Sequence, residues 1–143
     1  MSWWKLLVAV IAATPPLASR SADAADAGKW DPASAKVGAG LFRAHCATCH
    51  GLGGEGDGPF APRLRVAPPD LTTLAKRNGD RFPFDKVYRT IDGRDPVDGH
   101  GGGGMPVWGD DFLDSREGFS PAKVREKVNQ LVHYLASIQR EAK

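Results

Sequence analysis

The residues best suited to chemistry in this sequence are Cys46, Cys49 and His50, which stand in the order Cys-x-x-Cys-His. This spacing is the attachment signature of a c-type haem. Two thiols at this separation can add to the two vinyl groups of one porphyrin, and the residue that follows then lies under the iron, where an imidazole nitrogen can bind it. The sequence therefore predicts one haem attached covalently through Cys46 and Cys49, with His50 as an axial ligand of the iron.

Three other chemistries compete for the same motif. A thioredoxin-like dithiol would need a βαβ context, which the sequence lacks. A zinc site needs about four ligands in a tetrahedral array; His45 together with the motif could supply four, but they would be crowded into six residues. A structural disulfide across so short a step is rare. An export signal at the N-terminus favours haem attachment over all three.

The second axial ligand is predicted to be Met105. The chain has two methionines, and the other, Met1, would leave with the signal. Met105 follows a run of four glycines and precedes Pro106, so a flexible loop could cross the open haem face and stop with the sulfur at the iron. The competing interpretations are a methionine that fills a gap in the core, and ligation by His100 instead. The choice matters because thioether ligation raises the reduction potential relative to bis-histidine ligation.

The remaining histidines are expected to lie away from the iron. His45 directly precedes Cys46 and is predicted to point elsewhere. His133 lies in the last predicted helix, between apolar positions, and is predicted to be a partly exposed surface residue. Arg63, Arg65, Tyr88 and Trp108 could donate to haem propionates, but each is expected to be a packing or surface residue.

Two longer helices are predicted to position these residues. Asp31-Pro32 is typical of a helix start, with an N-cap acceptor before proline, and the helix should run to about His45. Gly38 and Gly40 lower its helix propensity, which indicates that another element packs closely against it. Ser120-Pro121 begins a second helix, whose apolar stripe recurs at helical spacing at Val124, Val128, Leu131, Val132, Leu135 and Ile138.

The rest of the chain is predicted to be loops and short helices. Residues 51–80 are rich in Gly, Pro and Asp and should form a long wrapped loop, with a helical turn around Asp70–Lys76. A short helix is expected over Asp85–Ile91, and Gly93–Gly104 should be irregular. No strand-like alternation of useful length and no internal repeat is present, so the fold class is predicted to be all-α.

The N-terminus has the pattern of a cleavable export signal. Lys5 precedes an apolar core, Leu6–Ala13, and small residues follow, with cleavage expected after Ala24 or Ala27. The apolar core is well short of the roughly 20 residues that a spanning helix needs. We therefore predict a signal peptide over residues 1–27, a single domain over 28–143, and a periplasmic location with no membrane span in the mature chain.

Length and composition fit a single soluble domain with one prosthetic group. The chain has 143 residues, of which 41% are hydrophobic and 25% charged. Its aromatic content is modest, and a buried porphyrin would enlarge an otherwise small core. The formal net charge of +2 is too small, and the basic residues too scattered, to indicate a nucleic-acid partner.

The sequence resembles the small monohaem cytochrome c family with histidine and methionine ligands, over nearly all of residues 33–140. Gly38 and Phe42 precede the motif as residues of that family's first helix do, and Leu131 to Tyr134 are similar to its C-terminal helix. The resemblance implies the cytochrome c fold, with N- and C-terminal helices that cross and with short helices and long loops wrapped around one covalent haem. Gly38 and Phe42 should then meet Leu131 and Tyr134 at the crossing.

The resemblance also extends to two loops. Ala61-Pro62-Arg63-Leu64 is similar to the family's Pro-x-Leu, which implies that the Pro62 carbonyl accepts a hydrogen bond from His50 and fixes its imidazole. Met105-Pro106-Val107-Trp108 resembles the methionine loop. The expected haem-binding set is therefore Cys46, Cys49, His50, Pro62 and Met105, with His50 and Met105 as the iron ligands and with no catalytic residue.

The predicted function is single-electron transfer in the periplasm. With both axial positions filled, the iron can cycle between ferrous and ferric without binding a substrate. The protein would exchange electrons with a donor and an acceptor protein, either as a diffusible carrier or as the cytochrome subunit of a redox complex, with docking to a membrane-bound complex left open. A haem-based sensor with a labile sixth ligand is the alternative, and a haem enzyme such as a peroxidase ranks last.

Overall fold

The computed structural model describes residues 29–93, 105–115 and 119–140. Five α-helices occur in these ranges: α1 (Pro32–His45), α2 (Ala47–His50), α3 (Phe84–Asp92), α4 (Trp108–Leu113) and α5 (Pro121–Ser137). Single turns of 3₁₀-helix cover Ala61–Arg63, Leu71–Thr73 and Lys76–Asn78. No strand occurs within the described ranges, and the predicted all-α fold class is confirmed. The predicted signal peptide, His100 and nearly all of Gly93–Gly104 lie outside these ranges.

Both long helices begin where the sequence predicts. The Asp31 carboxylate accepts a hydrogen bond from the backbone N–H of Ser34 at 2.6 Å, and Pro32 follows as the first helical residue. At α5 the Ser120 hydroxyl accepts from the backbone N–H of Lys123 at 3.3 Å. In each case a side chain satisfies one of the N–H groups that the first turn of a helix leaves without a partner.

The crossing of α1 and α5 forms the centre of the fold, as the resemblance implied. Gly38 is buried at the crossing, where a Cβ atom would overlap the carbonyl oxygen of Gln130 and lie 2.9 Å from the Cβ of Tyr134. One turn later, the rings of Phe42 and Tyr134 are in contact, with centroids 5.1 Å apart. Leu131 is also buried in this core. The predicted close packing against α1 is thus present at Gly38, whereas at Gly40 no atom of another element would lie within 4 Å of a Cβ.

The apolar stripe of α5 forms much of the core. The five predicted stripe positions inside the helix are buried, and Ile138, just beyond its end, packs against them. Val87 and Ile91 of α3 and Phe112 of α4 complete the core together with Phe42. Val37, which shares the apolar spacing of α1, is half exposed and takes no part in it.

Helix α4 was not predicted, because its sequence carries little local helical signal. Its six residues include Gly109 and two aspartates, and only Trp108 and Phe112 form an apolar pair at helical spacing. Tertiary contacts hold it instead. A Cβ at Gly109 would lie 2.6 Å from the carbonyl oxygen of Asp92, so α4 packs directly on the end of α3. The predicted helix Asp85–Ile91 is confirmed, with one more residue at each end.

The long loop is hydrogen-bonded to the backbone of α2 and to the side chain of Gln139, two residues beyond the end of α5. The N–H groups of Gly56, Gly58 and Phe60 donate to carbonyls of α2, at 2.8–3.2 Å. Farther along, the Leu71 carbonyl accepts from the Gln139 amide at 2.8 Å, and the Ala75 N–H donates to the oxygen of the same amide, also at 2.8 Å. The loop is therefore fixed at both ends, and the predicted turns around Asp70–Lys76 are present as 3₁₀ turns.

Asp70 organises this loop, and its removal should lower stability in a pH-dependent way. Its carboxylate accepts hydrogen bonds from the Thr72 N–H at 2.8 Å and the Thr72 hydroxyl at 2.5 Å, and Arg140 lies 3.8 Å away. The hydrogen bond from the Thr72 hydroxyl is the largest cause that lowers the pKa of Asp70 below 3.8. Burial opposes it as the second-largest effect, and the hydrogen bond from the Thr72 N–H and the charges of Arg140 and Arg77 lower the pKa further. The ionised Asp70 carboxylate therefore stabilises the folded protein fully above its unfolded pKa of 3.8. This stabilisation is lost as the pH falls through the lower pKa that Asp70 has in the folded protein.

We expect Asp70→Ala to lower the free energy of unfolding at pH 7 by about 1 kcal/mol. Asp70→Asn is the matched control, since it keeps an oxygen acceptor but removes the charge, and it should cost less. Urea unfolding at pH 7 and in acid measures both variants. The difference between wild type and Asp70→Ala should shrink in acid, and an equal difference at the two pH values would contradict this role for the carboxylate.

No helix within the described ranges is both long enough and apolar enough to cross a membrane.

Candidate functional site

A cavity of about 480 Å³ lies beside the helix crossing, within the range of cofactor pockets. Residues from α1, α3 and α5 form one side of it, and the loop of residues 66–78 forms another. Most of its lining is apolar: Phe42, Val66, Ala67, Pro69, Leu71, Leu74, Pro83, Val87, Ile91, Met105, Leu131 and Leu135. The cavity can therefore bury a large flat apolar group against the crossing helices.

Four of the five predicted site residues line this cavity or a smaller one that adjoins it. Cys46, His50 and Met105 line the larger cavity directly. A smaller adjoining cavity of about 40 Å³ is lined by the same three residues and by Cys49. Residues 46–50 and residue 105, which are far apart in the chain, are thus brought to one place, as the motif and the methionine loop predicted. Their roles toward a haem remain predictions.

The motif is positioned by the end of α1. Cys46 caps this helix, with its N–H donating to the Phe42 carbonyl at 2.8 Å. The carbonyl of Cys46 in turn accepts from the N–H groups of Cys49 and His50, at 3.1 and 2.9 Å, and this closes the single turn of α2. His50 is 7% exposed, and its Nδ1 atom is buried. The tight turn therefore fixes both cysteines and the imidazole relative to the core.

The thiol of Cys46 does not have the properties of a redox-active dithiol. Burial, with a smaller contribution from Cys49, raises the pKa of Cys46 to about 12, whereas reactive dithiols depend on a lowered thiol pKa. The two cysteines are not joined by a disulfide. In the part of the chain that the structure describes, no group of three or more His, Cys, Asp or Glu side chains could hold a metal ion. The raised pKa of Cys46 goes against the dithiol interpretation.

Pro62 lies in the 3₁₀ turn Ala61–Arg63, which packs on α2 through the hydrogen bond from the Phe60 N–H to the Thr48 carbonyl at 2.9 Å. Its side chain is exposed, and it does not line either cavity. Leu64, two residues later, lines the smaller cavity. The turn is thus close to the motif, and the hydrogen bond from His50 to the Pro62 carbonyl remains a prediction.

Met105 lies three residues before the start of α4. It is partly buried against the core, and Pro106 and Trp108 line the smaller cavity beside it. Val107 packs on the end of α3, since a Cβ at Gly93 would overlap its side chain, and Gly93 itself has a φ of 89°. His100, the competing ligand, falls outside the described residues.

The other two histidines have structural contacts that the sequence did not indicate. His45 lies against the rings of Trp108 and Phe112, each with centroids 5.3 Å from its own. His133 accepts a hydrogen bond at Nδ1 from the Asp31 N–H at 3.1 Å, and it is partly exposed as predicted. This bond connects the start of α1 to the middle of α5. A contact across 102 residues leaves no local signal in the sequence.

Four polar residues at the main cavity were missed by sequence reasoning: Arg77, Asn78, Lys86 and Thr90. Arg77, Asn78 and Lys86 line the main cavity and are exposed, so they lie at its mouth. None of the described residues that line this cavity is acidic. Of the residues considered for propionates, Trp108 lines the smaller cavity, and Arg63, Arg65 and Tyr88 line neither. Arg77 lies in the loop and Lys86 in α3, and they line the same cavity because the folded chain places these two elements beside it.

Comparison with known proteins identifies one family. The profile of the family described as Cytochrome c matches residues 35–139, which covers most of the chain and includes every predicted site residue. Neither the curated proteins nor the solved structures gave a significant match.

Proposed function

This chain belongs to the cytochrome c family, whose members transfer electrons with a covalently attached haem c, and we propose that it is an exported single-electron carrier. In this proposal the haem is attached through Cys46 and Cys49, and the iron is bound by His50 and Met105. The single observation that carries it is the meeting of these four residues at two adjoining cavities.

The cavity residues fit a haem in size and in chemistry. A volume of about 480 Å³ with an apolar lining suits a porphyrin, and the two thiols lie at one edge beside a buried imidazole. Arg77, Asn78 and Lys86 offer N–H donors and positive charge at the mouth, where they would hold carboxylates such as the haem propionates. The thioether of Met105 lines the same space as the imidazole, as a pair of axial ligands requires.

The proposed ligand set favours electron transfer over substrate chemistry. When bound, the haem supplies an iron that gains or loses one electron. If His50 and Met105 fill both axial positions, neither oxidation state has a site for an exogenous ligand. The site also opens to solvent, because Val66 lines the cavity and is 52% exposed. A partner protein could therefore approach the edge of the bound group at this side.

The periplasmic location is part of the proposal and depends on the signal pattern in residues 1–27. The mass of the intact mature protein tests it together with haem attachment. We expect the mass of a chain cleaved after Ala24 or Ala27 plus one haem. A mass without haem, or a chain that keeps its first residues, would contradict the corresponding part of the proposal.

A redox titration of the purified holoprotein tests the electron-carrier function. We expect a reversible one-electron transition with low-spin spectra in both oxidation states and no reaction of the ferrous protein with CO. Ready CO binding or a high-spin iron would contradict the carrier function and favour a sensor with an open or labile sixth position. Co-purification in a stable redox complex would identify the chain as a subunit rather than a diffusible carrier.

A further inference from the structure

We propose that His45 is a positioning residue for Met105. Its ring contacts join α4 to the end of α1 and so keep Met105 near the haem site. This inference rests on the proposed ligation by Met105. His45 is the residue that directly precedes Cys46, and Trp108 lies three residues after Met105. A contact between His45 and Trp108 therefore joins the attachment segment to the methionine segment.

The contact is a cluster of three rings that touch one another. His45 meets Trp108 edge to face, with centroids 5.3 Å apart and an interplanar angle of 64°. It meets Phe112 in the same way, at 5.3 Å and 81°. Trp108 and Phe112, one turn apart on α4, are 5.6 Å apart. Edge-to-face pairs at these distances are favourable beyond the area that they bury.

The cluster acts on α4 as a whole. Phe112 is 3% exposed and lies in the core, and the Lys127 ammonium of α5 is 5.7 Å from its ring centroid. Gly109 packs on the Asp92 carbonyl at the end of α3. α4 is thus held by α3 and α5 as well, and among the described residues the ring cluster connects it to the segment that bears the cysteines. A shift of α4 would carry Met105 away from His50.

The functional consequence concerns the equilibrium between bound and displaced Met105. His45 is exposed and makes its ring contacts at the edge of the core, so its loss should leave the fold intact. Without the ring contacts of His45, less free energy is needed to displace Met105 from the iron. An exogenous ligand that competes for the iron should then bind more tightly, since its apparent affinity contains the cost of displacing the methionine.

Imidazole binding to the ferric holoprotein measures this cost. We expect His45→Ala to lower the apparent dissociation constant of imidazole on the order of tenfold, given the usual strength of two aromatic pairs. His45→Phe keeps a ring at the same position and should retain the wild-type constant. In a Trp108→Leu background, the effect of His45→Ala should be smaller, because one of the two partner rings of His45 is already absent and only the contact with Phe112 remains.

His133→Ala is the matched control. The imidazole of His133 also contacts an aromatic ring, with its centroid 5.8 Å from that of Phe84, and it accepts a hydrogen bond from the Asp31 N–H. It has no ring contact or hydrogen bond with α4 among the described residues. This variant should lower the free energy of unfolding and leave the imidazole constant unchanged. An equal change in His133→Ala, a wild-type constant in His45→Ala, or no rescue by His45→Phe would each overturn the inference.

The absorption spectra of the ferric protein, recorded before and during the imidazole titration, distinguish a failure of this inference from a failure of the proposed ligation. If the ferric wild-type protein lacks the far-red sulfur-to-iron band, Met105 is not a ligand, and both proposals fail. If the band is present and His45→Ala binds imidazole as the wild type does, the ligation stands and the role of His45 alone is contradicted.

Discussion

Replacement of Met105 with alanine should convert the protein from a closed electron carrier to a ligand-binding haem protein. Met105 is the one thioether at the cavity, and it lines both cavities together with Cys46 and His50. In the variant, one axial position of the iron would be open. We expect loss of the sulfur-to-iron band, a change toward high spin, and CO binding that goes from undetectable to stoichiometric.

The reduction potential of Met105→Ala should fall as well, by a sizeable part of the roughly 0.8 V range over which axial ligands set haem potentials. Absorption spectra with and without CO and a redox titration measure these effects. Leu74→Ala is the matched control, because Leu74 is another partly buried residue of the same cavity. It should lose stability but keep the band. A Met105→Ala protein that remains low-spin and inert to CO would show that another residue, with His100 the first candidate, is the ligand.

Gly38→Ala should cause a large loss of stability. The added Cβ would overlap the backbone carbonyl oxygen of Gln130, which cannot rotate away as a side chain could. α1 and α5 would have to separate at their crossing and disturb the contact between Phe42 and Tyr134. We expect a loss of about 3 kcal/mol in the free energy of unfolding, the upper part of the usual range for overpacking.

Gly40→Ala is the control for this prediction. It lies two residues away in the same helix, is exposed, and has open space where a Cβ would be added. The higher helix propensity of alanine should make Gly40→Ala neutral or more stable by up to about 1 kcal/mol. Guanidinium unfolding of the two holoproteins measures the difference. Equal effects at the two positions would contradict the close crossing at Gly38.

Sequence reasoning succeeded where the signal is local. The caps at Asp31 and Ser120 are followed directly by proline, and both helices begin there. The motif from Cys46 to His50 is also local, because its predicted role depends on spacing within one turn, and that role stays a prediction. The pairing of Gly38 with Tyr134, by contrast, came from resemblance to the family, because the two glycines alone predict a close approach to the helix but not which of them lies at it.

The features that sequence reasoning missed depend on contacts between distant residues. α4 is short, contains Gly109, and exists because Phe112 enters the core and Gly109 packs on α3. Arg77 and Lys86 reach the cavity only after the loop has closed onto α5. Neither has a periodic pattern or a neighbouring motif that would distinguish it from an ordinary surface charge.

The most direct test of axial ligation by Met105 is the proton NMR spectrum of the ferrous protein labelled with ¹³C at the methionine methyl group. If the signal is cleaved, Met105 is the only methionine, so a single resonance needs no further assignment. A methyl group bound at the iron lies over the porphyrin, and its ring current should move the resonance far upfield of an ordinary methionine. This is the result that we predict. A single methyl resonance at the ordinary position would show that Met105 is not an axial ligand and would contradict the account.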